Sequence, residues 1–253
     1  MLSDWYEKHL LPHLIDFACG MKAITRQRAK VVPKAHGQVL EIGIGTGLNL
    51  AHYDTGKVST LCGLDPSLAL HAIAKNRLAA TSLRLELVPL SAERIPADDA
   101  SFDSIVCTFT LCTIPDPPAA LHEMRRVLKP GGELLFSEHG LAPEPSVQKW
   151  QHRLTPLWRP LAGGCHLNRD IPSLLVQAGF RVVELQQQYV KGPRPMTWIS
   201  TGGAVSAGEV LGCCDDVARV RLASAELEPL RYIRSKRSRF ITLVQALPKS
   251  WMN

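Results

Sequence analysis

Short apolar runs alternate with stretches of helical composition from about residue 37 to residue 140. Strands that alternate with helices form β-α-β units, and right-handed crossovers place those strands parallel in one sheet. The alternation therefore predicts an α/β fold with a doubly wound, mostly parallel sheet. The expected strands are 38–44, 59–64, 83–90, 104–111 and 133–140.

The segments around this core suggest a domain organisation. Residues 1–36 are punctuated by Pro and Gly and are predicted to form an N-terminal helical cap. The main domain is expected at 37–204. Within it, 141–170 is rich in Trp, Pro and Gly and is predicted to form short helices that lie over the sheet as a lid. Residues 205–253 are expected to be a C-terminal extension.

Much of the net charge of +6 comes from two basic runs, at 22–30 and 231–239. Few aromatic residues lie among these basic side chains, so there is little support for a surface on which bases would stack. Both runs are expected to be solvated faces, and no nucleic-acid partner is expected.

The seven cysteines include no CxxC pair with the spacing of a zinc site, so no metal site is expected. Several lie in apolar runs, where a free thiol acts as a small core residue. No apolar run approaches the ~20 residues of a membrane span, and no targeting peptide is recognisable. These features predict a reduced, cytoplasmic protein without an integral membrane segment.

A glycine-rich turn ends the first expected strand, where Glu41 is followed by Gly43, Gly45 and Gly47. Ligands of doubly wound sheets bind beyond the carboxyl ends of the strands, and glycine allows both a tight turn and close approach of a ligand. A dinucleotide fingerprint would need its third glycine at Leu48, and a Walker A lysine is absent. The turn therefore indicates a ligand other than a dinucleotide or a nucleoside triphosphate.

Asp65 ends the second expected strand. A carboxylate at this position can accept hydrogen bonds from both ribose hydroxyls of an adenosine ligand. Asp65, Pro66 and Ser67 are also typical of a helix cap, so the residue alone is a weak signal. Its combination with the glycine turn favours a nucleoside cofactor.

Four motifs make the chain resemble the class I S-adenosylmethionine (SAM)-dependent methyltransferases, in the subgroup with the short methyltransferase domain. They are LEIGIGTG at 40–47, GLDPS at 63–67, AERIPADDASFDSIV at 92–106 and LHEMRRVLKPGGELLFSEH at 121–139. The resemblance implies a Rossmann-like sheet of seven strands and SAM as the cofactor. The last strand of such a sheet is antiparallel, and two segments are candidates for it, 197–204 and 239–247. Because the resemblance ends at about residue 204, an appendage after that residue is slightly favoured.

The same resemblance implies roles for the residues at the carboxyl ends of the strands. Glu41 and the glycine turn would hold the amino-acid part of SAM, and Asp65 with Pro66 would hold the ribose. The loop after the third strand would lie on the adenine, although Ser91 departs from the Asp that many members carry there. The loop residues are Ser91, Ala92 and Glu93, and Thr108 at the end of the fourth strand completes the expected cofactor site.

A closer likeness is to the alkyl thiol methyltransferases of the methyltransferase-like group and their bacterial relatives. It rests on CTFTLCTIPDP at 107–117, SEHG at 137–140 and WQHRLTPLWRPLAGGCHLNRD at 150–170. In that group the GGCxLxR segment lies over the catalytic pocket. The likeness therefore implies a small thiol as methyl acceptor. The membrane anchor that animal members carry ahead of the domain is not expected in this chain.

Two histidines are candidate catalytic residues. His139 ends the fifth expected strand beside Glu138, and His166 lies in the expected lid. Either could accept a proton or orient an acceptor, and either could instead be a hydrogen-bonded structural residue. Glu138 is expected to face a helix terminus or the sugar. Cys112 and Cys165 are expected to pack in the core or line the pocket, because direct methyl transfer needs no covalent intermediate.

Three functions remain open from sequence. The first is S-methylation of a small thiol. The second keeps SAM but methylates carbon, nitrogen or oxygen of a quinone precursor, a lipid or another metabolite, or an arsenic thiolate. No cysteine pair is clearly placed to bind arsenic, which weakens that version. The third is a SAM-binding module without catalysis.

Overall fold

A computed structural model describes residues 5–207, and a seven-stranded sheet lies at its centre. The sheet has the order β3-β2-β1-β4-β5-β7-β6, and only β7 runs antiparallel to its neighbours. The predicted doubly wound, mostly parallel α/β fold is therefore confirmed. The strands are β1 (Gly37–Ile42), β2 (Val58–Leu64), β3 (Leu85–Val88), β4 (Phe102–Thr108), β5 (Leu128–His139), β6 (Phe180–Tyr189) and β7 (Trp198–Ser206).

Within residues 5–207, six α-helices flank the sheet. Pro or a side-chain cap begins most of them; for example, Asp116 accepts a hydrogen bond from the Ala119 N–H, and Pro117 follows in the first turn. The helices are α1 (Leu11–Cys19), α2 (Lys22–Val31), α3 (Leu68–Leu78), α4 (Pro117–Val127), α5 (Pro145–Trp158) and α6 (Ile171–Gln177). None of the helices described is long and apolar enough to cross a membrane.

The central strands are apolar because both faces of the sheet are covered. Val39 and Leu40 are adjacent in β1 and both are completely buried, yet they belong to different core clusters on opposite faces. Ile105 and Val106 repeat this arrangement in β4. Burial on both faces fixes the register of these strands, and their carboxyl ends therefore meet at one edge.

The expected lid contains one helix of 14 residues, α5, where the sequence suggested several short helices. Gln151 of this helix is completely buried and holds the helix in place. The Gln151 amide donates to the carbonyls of Gly140 and Pro195 and accepts from the Ala142 N–H. A single side chain thus ties α5 to the chain leaving β5 and to the segment before β7.

The last strand of the sheet is β7, the first of the two segments that the sequence offered. It pairs with β5 on one side and β6 on the other. The second candidate, 239–247, lies outside the described residues, as does the rest of the expected extension from residue 208 onward.

Candidate active site

The glycine turn after β1 contains three glycines in the left-handed region, with φ of +65° at Gly43, +54° at Gly45 and +79° at Gly47. A Cβ at Gly43 would lie 2.2 Å from the Thr110 side chain, and a Cβ at Gly47 would lie 2.9 Å from Leu50. A Cβ at Gly45 would meet nothing closer than 3.8 Å. Gly43 and Gly47 are thus required by packing within the protein, whereas Gly45 faces open space. The helix expected after this turn is only a single 3-10 turn, Leu50–His52.

Asp65 joins the glycine turn to β2. One of its carboxylate oxygens accepts a hydrogen bond from the Gly45 N–H at 3.1 Å, and the other accepts from the Ser67 N–H at 2.8 Å. Ser67 in turn caps α3. Asp65 is buried and Pro66 is exposed. Burial raises the pKa of Asp65, against the lowering effect of the two backbone hydrogen bonds. Asp65 therefore has two roles. It supports the residue that caps α3, and it places a carboxylate at the edge of the sheet where the parallel strands end.

Glu41 lies at the centre of a buried polar network that the sequence did not reveal. Its two carboxylate oxygens accept hydrogen bonds from Asn49 Nδ2 at 2.9 Å and from the Tyr53 hydroxyl at 2.7 Å. Arg28 donates to Asn49 Oδ1 at 2.9 Å and to Thr108 Oγ1 at 2.6 Å. Arg28 is only 5% exposed, so the expectation that the first basic run is solvated is wrong for this residue.

Glu41 gives the first testable prediction, a dependence of stability on pH. Burial raises the pKa of this carboxyl from 4.5 to about 7. The folded state therefore binds the proton more tightly than the unfolded chain does. The resulting stabilisation is complete below about pH 4.5 and is lost as the pH rises through about 7.

Glu41→Gln, which keeps a neutral acceptor, should remove this loss. As the pH rises from about 4.5 to above about 7, the free energy of unfolding, measured with urea, should fall more in the native chain than in the variant, by on the order of 3 kcal/mol. Glu86→Gln, at an exposed glutamate of β3, serves as the control and should follow the native chain. If the free energy of unfolding changed with pH equally in the native chain and in Glu41→Gln, the raised pKa of Glu41 would be contradicted.

The loop after β3 holds the residues expected near the adenine. The Ser91 hydroxyl donates to the Glu93 carboxylate, whose other oxygen accepts from the Asp116 N–H at 3.2 Å. Ala92 is buried. The loop is thus fixed to the start of α4 by its own side chains.

Glu138 organises the loop that follows β4. One oxygen of this completely buried carboxylate accepts from the N–H groups of Thr110 at 2.8 Å and Leu111 at 3.0 Å, and the other accepts from Cys112 at 3.4 Å. The Cys107 thiol donates to the same carboxylate at 3.6 Å. Burial raises the pKa of Glu138, and the backbone N–H groups oppose that shift. Glu138 was expected to face a helix terminus or the sugar; its described partners are instead the backbone N–H groups of this loop and the Cys107 thiol.

His139, Cys112 and Cys165 meet beside that loop. The sulfurs of Cys165 and Cys112 are 3.7 Å apart, and the Cys165 sulfur is 3.1 Å from His139 Nε2. The other ring nitrogen, His139 Nδ1, is buried and has no hydrogen-bond partner among the described residues. The sequence showed no pair of cysteines clearly placed to bind arsenic, whereas the fold brings these two sulfurs together. The two thiols are distant in sequence and are brought together by the fold.

The electrostatics of this cluster couple the thiol to the imidazole. The hydrogen bond from Cys112 lowers the pKa of the Cys165 thiol, burial opposes that effect, and His139 lowers the pKa further. Burial acts to lower the pKa of His139, but the Cys165 sulfur and the Glu138 carboxylate together outweigh it, and the pKa of the imidazole is raised. Cys165 and His139 thus favour each other's charged forms.

His166 and Arg169 fasten the lid segment to the same loop. The His166 N–H donates to the Cys112 carbonyl at 2.9 Å, and His166 Nδ1 is 3.1 Å from that oxygen. Because a carbonyl only accepts, Nδ1 carries the proton and Nε2 holds the lone pair of the neutral ring. Arg169 donates to the Leu111 carbonyl. Burial lowers the pKa of His166, which favours the neutral form of its imidazole.

Comparison with known proteins identifies the family of this site. Residues 40–136 match the model of a methyltransferase domain. Thiol S-methyltransferase TMT1B of Rattus norvegicus is 35% identical over 170 residues, which cover 65% of this chain and 66% of that protein. TMT1B of Homo sapiens is 34% identical over 188 residues, 72% of this chain and 71% of that one. The chain belongs to the class I SAM-dependent methyltransferases. It spans about two thirds of the length of these relatives.

Solved structures agree on the fold. The crystal structure of a methyltransferase from Bacillus halodurans superposes with a TM-score of 0.55 at 23% identity, covering 66% of this chain and 71% of that one. Members of this family use SAM. The residues present fit that cofactor, because the Gly45 N–H holds the Asp65 carboxylate at this edge and the space that a Cβ of Gly45 would fill is open.

Proposed function

We propose that this chain transfers the methyl group of SAM to the sulfur of a small thiol. The observation that carries the proposal is the identity of about 35% with thiol S-methyltransferases. The 170 aligned residues exceed the methyltransferase-domain match at 40–136, so the likeness extends into segments outside the shared cofactor domain. Acceptor specificity in this family depends on such segments, since the cofactor domain is common to many reactions.

The proposed cofactor site follows the carboxyl edge of the sheet. Gly45 and its neighbours Gly43 and Gly47 would lie against the amino-acid end of SAM, with the Glu41 network behind them. Asp65, supported by Pro66, would accept from the ribose hydroxyls with the lone pairs that its backbone contacts leave free. The loop of Ser91, Ala92 and Glu93 would border the adenine, and Thr108 would connect Arg28 to this edge.

When bound, SAM supplies a methyl group on a sulfonium, which an acceptor attacks in line. The protein's task is to align the acceptor and exclude water, and positioning of this kind contributes up to about 7–11 kcal/mol. A thiol has a pKa of about 8.5, so only a modest shift gives the reactive thiolate at neutral pH. His166 is suited to accept the proton because its Nδ1 faces the Cys112 carbonyl, which leaves the lone pair of the neutral ring on Nε2. His139 is less suited as a base because its Nε2 contacts Cys165.

The acceptor can be tested by incubating the full chain and labelled SAM with small thiols, phenols, amines and quinols. We expect label only in thioethers, with a rate that rises with pH towards the thiol pKa of about 8.5. His166→Ala should shift or flatten that profile. Turnover of a quinol or an amine without any thiol would overturn the proposal.

A quinone precursor is the alternative that the same assay can detect. Demethylmenaquinone methyltransferase of Clavibacter sepedonicus is 33% identical over 119 residues, a shorter stretch than that shared with the thiol enzymes. Silence across the whole panel, with SAM binding intact, would instead favour a binding module without catalysis.

A further inference from the structure

We propose that Cys112, His139 and Cys165 bind one Zn²⁺ ion and leave a fourth position open for a thiol ligand. The metal site is independent of the proposed function. The identity of the fourth ligand as the methyl acceptor rests on that function.

Two of the three ligand–ligand distances in this cluster are close to those of a tetrahedral zinc site. Zinc bonds of about 2.3 Å to sulfur and about 2.0–2.1 Å to nitrogen place neighbouring sulfurs about 3.8 Å apart and a sulfur about 3.5 Å from a nitrogen. The Cys112 and Cys165 sulfurs are 3.7 Å apart, and Cys165 lies 3.1 Å from His139 Nε2. All three ligand atoms lie within 4.8 Å of one another. The two measured distances are within about half an ångström of these values, and the Cys112 sulfur and His139 Nε2 would need to approach by at most about 1.3 Å.

The three ligands come from three separate elements that hydrogen bonds fasten to one another. Cys112 lies in the loop whose N–H groups are bound by Glu138, and His139 ends β5. Cys165 lies in the lid segment, which His166 and Arg169 fasten to the same loop. Such a site is pre-organised, because none of its ligands needs a new backbone conformation to bind.

The ligand set indicates an open site. Among residues 5–207 this group is the one cluster of three potential metal ligands, and it includes no fourth side chain. The nearby Glu138 carboxylate is already occupied by backbone N–H groups and the Cys107 thiol. Structural zinc sites use four protein ligands, whereas two cysteines and one histidine leave a position for an exogenous ligand.

The protons balance without a change of oxidation state. Binding of Zn²⁺ releases two protons, one from the Cys112 thiol and one shared by the Cys165–His139 pair, and the two thiolates offset the charge of the ion. A thiol that takes the fourth position loses its own proton, which His166 can accept, and binds as the thiolate. The site would thus hold a deprotonated sulfur beside the loop that ends β4.

Metal content of the purified full chain tests the site. After reduction and incubation with Zn²⁺ followed by desalting, we expect one equivalent of zinc. Cys112→Ser and Cys165→Ser should each weaken zinc binding by more than about 10-fold. Cys62→Ser, at a cysteine in β2 outside the cluster, is the matched control and should bind zinc as the native chain does. Zinc-free native protein, or unchanged binding in both cluster variants, would overturn the proposal.

Cobalt substitution tests the coordination in the native chain, without relying on variants that must fold. Co²⁺ should give sulfur-to-cobalt charge-transfer absorption and the visible bands of a tetrahedral ion, and ethanethiol should shift both. Absence of the charge-transfer band would refute the cysteine ligands, and a spectrum unchanged by ethanethiol would refute the open position. Thiol methylation by metal-free protein would overturn the role of the metal while leaving the proposed function intact. The expected cobalt spectrum without methylation of any thiol would overturn the proposed function and leave the metal site intact.

Discussion

Gly45→Ala should weaken SAM binding by about 10- to 100-fold while the protein stays folded, since overpacking a tight contact costs about 1–3 kcal/mol. Gly45 has no neighbour within 3.8 Å of the position of a Cβ, so the new methyl group enters the space assigned to the cofactor rather than the protein core. Its φ of +54° also strains alanine by about 1–2 kcal/mol. The fold tolerates such strain, because Ala100 already has a φ of +53°.

Gly131→Ala is the matched control for this experiment. Gly131 has a φ of +79°, and a Cβ there would meet nothing within 4 Å. Both variants therefore introduce the same methyl group at the same kind of backbone position, but only Gly45 lies in the proposed site. Calorimetry should show weakened SAM binding for Gly45→Ala and native affinity for Gly131→Ala. Equal affinities in the two variants would exclude Gly45 from the cofactor site.

The parts of this molecule that could be predicted from sequence depend on local patterns. Apolar runs such as 38–44 and 104–111 predict buried strands because both faces of the sheet need apolar residues. The glycine turn is recognisable because Gly43, Gly45 and Gly47 mark a backbone that most side chains do not permit. These local patterns indicated only that the cofactor contains a nucleoside. The resemblance to a known family identified the cofactor as SAM.

The parts that could not be predicted depend on contacts between distant segments. Arg28 belongs to a basic run by composition, yet α2 packs so that its guanidinium reaches Asn49 and Thr108. Cys112 and Cys165 show no metal-ligand spacing, and their sulfurs meet only because the lid segment folds onto the loop after β4. Spacing rules detect sites built from one or two local segments, and this cluster draws on three.

Glu138→Ala should cause the largest loss of stability of the changes considered, on the order of 4 kcal/mol, because each buried N–H left without an acceptor costs about 1–3 kcal/mol. The carboxylate is completely buried and serves the N–H groups of Thr110, Leu111 and Cys112 together. Part of this loss is offset, because the variant no longer buries an ionisable group. The midpoint of urea unfolding and the fitted free energy would measure the difference.

Glu138→Gln distinguishes the contributions of the two carboxylate oxygens. Thr110 and Leu111 donate to one oxygen, which the amide carbonyl can replace, whereas Cys112 donates to the other, where an NH₂ group would face its N–H. We therefore expect a smaller loss, about 1–2 kcal/mol, confined to the Cys112 end of the loop. Glu86→Ala, at an exposed strand position, should change the free energy by less than about 0.5 kcal/mol. A loss in Glu138→Ala no larger than in Glu86→Ala would show that the loop is stable without its carboxylate, and the pre-organisation inferred for Cys112 would then need another source.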